Sequence, residues 1–255
     1  MHLSIVVGGG PVLEAIPTVG LEFRNRLSVC QGGGSEIDAT GNRMVNVDGR
    51  ANRGRLTREL LVAAATELFA EHGFDHTSVE AVLEQTGVSR GALYHHFASK
   101  HALFDAVVEA VEGRVGEAIV AAAVAAGDPD PVAVLRAGSR AWVGLAGDPA
   151  VRRILLIDAP AVLGWRRWRE IEEQYGLGGV KAVLETAADG GRLRPELVDP
   201  FSHMLLAAVN ELAILIALAD DVPAAQASAE AAIDELIARL LPPADRAHRS
   251  RRPRG

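Results

Sequence analysis

Apolar residues recur at helical spacing from Thr57 onward. Leu60, Ala64 and Leu68 fall on one stripe, with Leu61, Ala65 and Phe69 beside it. This pattern predicts a first helix that Gly73 ends. Thr77-Ser78-Val79-Glu80 has the form of a capping box, so a second helix should start there and stop at Gly87. Ser89 can cap a third helix to about Phe97, and Ser99 a fourth through Leu103, Val107 and Val111. Asp-Pro pairs punctuate the remainder, at Asp128-Pro129, Asp130-Pro131, Asp148-Pro149 and Asp199-Pro200. An N-cap carboxylate accepts orphan N–H groups, and proline at the first helical position has none to lose. Two apolar helices close the pattern, at about 200–219 and 223–241. No alternating strand pattern follows residue 50, so the expected fold is all-α.

Composition changes this picture at the ends. Residues 1–49 hold Gly8-Gly9-Gly10 and Gly32-Gly33-Gly34 without a sustained period, which reads as a disordered extension. Translation from Met44 would leave 212 residues. Four segments are expected: the extension over 1–49, a small head over 50–104, a helical body over 105–241 and a disordered basic tail over 242–255. The single cysteine, Cys30, can make no internal disulfide, which fits a reducing cytoplasm. The start has no basic n-region for a secretory signal. The longest apolar run, residues 204–219, contains Asn210 and Glu211 and reads as a buried helix rather than a membrane span.

The net charge of −7 is unevenly spread. Residues 50–101 carry 6 basic and 6 acidic groups and five of the eight histidines, whereas residues 102–241 carry 12 and 21. A neutral head on an acidic body leaves the local field, not the total, to decide what the head attracts.

Residues 77–100 read T-S-V-E-A-V-L-E-Q-T-G-V-S-R-G-A-L-Y-H-H-F-A-S-K. Two short helices about a glycine turn make a helix-turn-helix. Val79, Val82 and Leu83 can pack inward from the first helix, and Val88, Leu93 and Phe97 from the second. Arg90, Gly91, Tyr94 and His95 then face outward. An arginine there can donate two bonds to guanine O6 and N7. Gly91 and Ala92 keep the helix thin, and Tyr94, His95 and Lys100 can reach phosphates. Thr77 and Ser78 offer hydroxyls and N–H groups at a helix N-terminus. Arg50, Arg53, Arg55 and Arg58 form an arm that can follow the backbone or enter a minor groove.

On these residues, 57–104 resemble the DNA-binding domain of the TetR (tetracycline repressor) family, and residues 87–100 are close to its signature. The resemblance implies DNA contacts at Thr77, Ser78, Ser89, Arg90, Gly91, Ala92, Tyr94, His95, His96 and Lys100, with Arg55 added from the arm. It also implies a body that binds a ligand and dimerises through its last two helices. The run Asp158-Ala159-Pro160-Ala161-Val162-Leu163-Gly164-Trp165 resembles a recurring body motif in one branch of the family, with no chemistry attached. Two features depart from the family pattern: the long extension, and a head without a basic surplus, since Glu80 and Glu84 lie on its second helix.

The expected function is a ligand-responsive repressor that binds a pseudo-palindromic operator as a homodimer through helices 200–219 and 223–241. Small and apolar residues at Ala224, Ala225, Ala229, Ala232, Ile233, Leu236, Ile237 and Leu240 suit a four-helix interface. Candidates to line an effector pocket are Trp142, Trp165, Trp168, His203 and Asn210; the polar pair on an apolar helix needs partners. Arg152, Arg153, Arg166, Arg167 and Arg169 are read as surface partners of Glu170, Glu172 and Glu173. Adjacent His95 and His96 point about 100° apart, and nothing completes a metal site; no cofactor is expected. Two alternatives compete: an all-helical enzyme using Asp158 or Glu211, and a helical interaction protein without DNA binding. No catalytic motif supports the first.

Overall fold

The computed structural model describes residues 47–242, with side chains from Ala51; the extension, the Met44 start and most of the basic tail lie outside them. The described residues form helices and no strand. The head comprises α1 (Val47–His76), α2 (Val79–Thr86), α3 (Arg90–His96) and the start of α4 (Lys100–Ala125). The body continues through α5 (Pro131–Leu145), a π-helical segment Val151–Asp158, α6 (Ala159–Leu163) and α7 (Trp165–Glu172). A second π-helical segment, Glu173–Leu177, leads into α8 (Gly178–Asp189), α9 (Val198–Leu218) and α10 (Val222–Leu240). Helix α4 runs unbroken across residues 104 and 105, so one rigid element belongs to both head and body.

Helix α1 begins ten residues before the expected Thr57. Leu61, Ala64, Ala65 and Phe69 are buried and Leu68 partly so, while Leu60 stays exposed. At Gly73 the backbone leaves the helix with φ +77°, a value that glycine adopts without strain. The second helix is capped one residue later than expected. Ser78 Oγ accepts from the Ala81 N–H at 3.1 Å, which puts Glu80 too early for a capping box. Gly87 at φ +66° closes α2 in the left-handed conformation. Ser89 and Ser99 cap α3 and α4 as expected, accepting from Ala92 and Ala102.

Among the Asp-Pro pairs, Asp130 caps α5 at Val132, and Asp148 receives the N–H groups of Ala150 and Val151. Asp199 is not a cap: α9 starts at Val198, and Asp199 instead binds Lys181 at 2.7 Å. Asp221 caps α10 at Ala224.

In the body α5 packs on α4, α9 and α10, and α8 on α9. Helix α9 buries Val198, Leu205, Leu206, Val209, Ala213, Ile216 and Ala217 within its own chain, while Met204, Leu215 and Leu218 stay exposed. The small-residue stripe of α10 divides. Ala229, Ile233 and Ile237 are buried in the chain's own core, and Ala224, Ala232 and Leu236 are left exposed.

Candidate nucleic-acid interface

The helix-turn-helix is supported from beneath by Val82, Leu93 and Phe97, all buried, with Val79, Leu83 and Val88 partly buried against them. Arg90, Gly91, Tyr94 and His95 are exposed on the far side of α3. A Cβ added at Gly91 would meet no atom within 4 Å, so the helix is narrow and open there. Ser78 and Ser89 are exposed; their oxygens accept backbone N–H groups, which leaves each hydroxyl proton free to donate. Ala92 and His96 are half-buried, His96 beside Gly54 of α1.

Three expected contacts look different in place. Thr77 is only 2% exposed; its hydroxyl lies 2.8 Å from the Gly73 carbonyl and 3.1 Å from that of Leu68. It fastens the turn after α1 and offers nothing to a phosphate, because the helix begins one residue beyond it. The Lys100 ammonium sits 4.2 Å from the centroid of the Phe74 ring, a cation–π contact, and must swing away to meet DNA. Arg55 is exposed on α1 and shared between Glu59 and Asn52, at 2.8 and 2.9 Å. Of the other arm residues, Arg58 lies over Phe97.

Glu80, expected to close a capping box, has a different partner. It receives a hydrogen bond from the Arg90 guanidinium, across the turn between α2 and α3. Its own backbone N–H and then Arg90 hold the Glu80 carboxyl below the usual carboxylate range. The guanidinium has five donors, so it can keep Glu80 and still present two to a base. An exposed pair of this kind contributes little stability; its effect is on aim. Glu80→Gln is expected to change overall DNA affinity less than tenfold while broadening sequence preference, as measured on panels of single-base variants of a bound duplex.

In the body the five pocket candidates lie on three helices, α5, α7 and α9. Trp142 is buried on α5 with its Nε1 unpartnered among the described residues. Trp168 is buried on α7, while Trp165 at the same helix's start is 66% exposed, their rings 4.8 Å apart. Trp165 therefore lines no interior space. The polar pair does meet something: Asn210 Nδ2 donates to Glu172 Oε1 at 2.7 Å, and His203 Nδ1 is 3.9 Å from Glu173 Oε1. Burial pushes the Glu172 carboxyl up to about 8, helped by the nearby Glu112 charge and opposed by Arg169. Burial alone pushes Glu112, on α4, up to about 7.

The arginines also differ from a simple surface set. Arg166 and Arg169 do face Glu170, Glu172 and Glu173. Arg152 instead donates to the Ala217 carbonyl at 2.6 Å, Arg153 pairs with Asp158, and Arg167 grips Asp105 and Glu109 of α4. Only spatial proximity reveals these long-range ties. The one sequence signal was an Arg-rich stretch whose local acids are too few for it.

Comparison with known proteins agrees with this geometry. The family model described as "Bacterial regulatory proteins, tetR family" matches residues 61–107. A second, "Tetracyclin repressor-like, C-terminal domain", matches residues 132–240. The HTH-type transcriptional repressor AcnR of Corynebacterium efficiens is 26% identical over 183 residues, 68% of this chain and 82% of that protein. The HTH-type transcriptional regulator UidR of Escherichia coli K12 is 39% identical over 62 residues, which span 24% of this chain and only 32% of UidR. A crystal structure of a TetR-family regulator from Pectobacterium atrosepticum superposes with a TM-score of 0.65 at 29% identity, over 75% of this chain and 97% of that one. With both the head and the body matched, and with the reading helix exposed on its support, the chain belongs to the TetR family and is a DNA-binding transcriptional regulator.

Proposed function

We propose that this regulator is a cytoplasmic homodimer that represses from a pseudo-palindromic operator and is released by a small effector bound in the body. The observation that carries the DNA half of this reading is α3. It stands exposed at Arg90, Gly91, Tyr94 and His95 while Leu93 and Phe97 anchor it beneath. Arg90, Tyr94, His95, Ser78 and Ser89 are assigned the direct contacts, with Gly91 and Ala92 admitting the helix and His96, Lys100 and Arg55 at its margin. Thr77 is not among them.

The dimer half rests on the outer face of α9. Met204, Ala207, Leu215 and Leu218 stay exposed on one face of α9, with Glu211 among them, and α10 packs on α9 with its own small residues exposed. A second copy of the same two helices covers such a face as a four-helix contact, and two heads then read half-sites about one DNA turn apart. An effector acts by its differential affinity for two such arrangements; Asn210 and His203, which meet the acids of α7 and its π-helical continuation, are the pocket candidates retained. A catalytic role for Asp158 or Glu211 draws no support: Asp158 is engaged by Phe74 and Arg153, and Glu211 lies exposed on the outer face of α9.

The test is selection of random duplexes by the purified full chain, followed by sequencing. Two inverted half-sites should be enriched, with binding that weakens steeply with salt. Enrichment of no sequence at moderate salt would remove DNA reading from this account.

A further inference from the structure

Asp158 is buried in the body, its side chain 11% exposed, yet its partner is in the head. Its Oδ2 accepts the backbone N–H of Phe74 at 2.7 Å, across 84 residues of chain. Phe74 follows Gly73, where α1 breaks. Its ring is 5.9 Å from Phe69 of α1, 5.0 Å from Phe104 of α4 and 4.9 Å from His101. Whatever holds Phe74 therefore sets the angle between α1 and α4.

The same carboxylate receives Arg153 Nε at 3.2 Å. The Arg153 guanidinium fills the space a side chain at Gly73 would need, since a Cβ there would lie 2.1 Å from Nη2. The next residue back, Arg152, donates to the carbonyl of Ala217 in the last turn of α9. One π-helical segment, Val151–Asp158, thus grips the end of α9 at one side and the corner of the head at the other. Beyond the run 158–165, Arg167 ties α7 to Asp105 and Glu109 in the first turns of α4.

We infer that Asp158 is a positioning residue for DNA reading: it fixes the head against the body at Phe74, and so sets the spacing at which paired heads meet a duplex. This gives the run from Asp158 to Trp165 a physical task. The inference rests on the paired-head reading proposed above. Asp158 touches no DNA; it acts through Phe74 and α1.

The experiment compares wild type with Asp158→Ala and Asp158→Asn on the selected duplex, on its single half-site, and on duplexes with the half-sites one or two base pairs further apart. Asp158→Ala should bind the half-site within twofold of wild type. It should lose about tenfold on the full duplex and discriminate less between spacings. Asp158→Asn, which keeps an acceptor for the Phe74 N–H, should fall between. Equal losses on half-site and full duplex, or unchanged spacing discrimination, would overturn the inference. Hydrogen exchange of the wild-type protein gives a readout independent of any variant. The Phe74 amide should be among the slow amides of the head, and exchange as fast as an exposed amide would overturn the inference equally. Wild type indifferent to spacing would instead sink the paired-head reading itself.

Discussion

Replacing Arg90 and Tyr94 together by alanine removes sequence-specific DNA binding and leaves the body folded. Neither side chain contributes to the core: Tyr94 is 45% exposed, and Arg90 is exposed and paired with the exposed Glu80. Leu93 and Phe97, which hold α3 in place, are untouched. A well-placed bidentate arginine–guanine pair is worth about 1–3 kcal/mol of discrimination. In the proposed dimer two copies of both contacts are lost, so affinity for the selected duplex should fall at least about 100-fold. Fluorescence anisotropy at near-physiological salt gives the loss, and sedimentation of the same sample gives the oligomeric state. Specific binding that survives the double substitution would move the reading surface away from α3.

The second large effect is a loss of stability as pH rises through the neutral range. Glu112 is 8% exposed, surrounded on α4 by Val108, Val111 and Val115, and has no hydrogen-bond partner among the described residues. Its carboxyl is raised to about 7, and that of Glu172 to about 8, from an ordinary value near 4.5. In the folded protein both therefore hold protons that the unfolded chain has released. Their contribution to stability is complete below about pH 4.5, declines as pH climbs from there, and is fully lost once pH has passed about 7 and 8. The two titrate as a pair, so the decline spans both steps. Glu112→Gln mimics the protonated acid and cannot ionise. Near pH 4 it should match wild type closely; near pH 9 it should be more stable by about 3 kcal/mol. Thermal unfolding across pH 4 to 9 gives both curves, and parallel curves would contradict the burial of Glu112.

Local chemistry was legible in the sequence where one residue does one nearby job. Ser89, Ser99, Asp130 and Gly87 act within four residues of themselves, and each stands where the pattern placed it. The capping box slipped by one because Thr77 and Ser78 are both competent caps. Nothing local says that Thr77 is needed instead to fasten the Gly73 turn. The apolar rows of α1 held except at Leu60: Leu60 and Leu61 are adjacent, and nothing local says that only Leu61 meets the core.

The body was less legible because its ties are long-range. Asp158 with Phe74, Arg167 with Asp105 and Arg152 with Ala217 join residues far apart in sequence. Glu112 does carry a local signal. An acid at the i+4 position from Val108 and next to Val111 falls on the stripe that α4 must bury. The pocket candidates were chosen by residue type. Trp142 and Trp165 show its limit, since one is sealed in the core and the other stands in solvent.

Methylation interference on the selected duplex tests the central claim most directly, because methylation of guanine N7 blocks the major-groove edge that Arg90 is assigned. Methylation at one guanine in each of two inverted half-sites, with centres about 10 base pairs or a whole multiple of that apart, should abolish binding by wild type. Binding indifferent to every guanine N7, or blocked at a single unpaired position, would contradict α3 as the paired reading element.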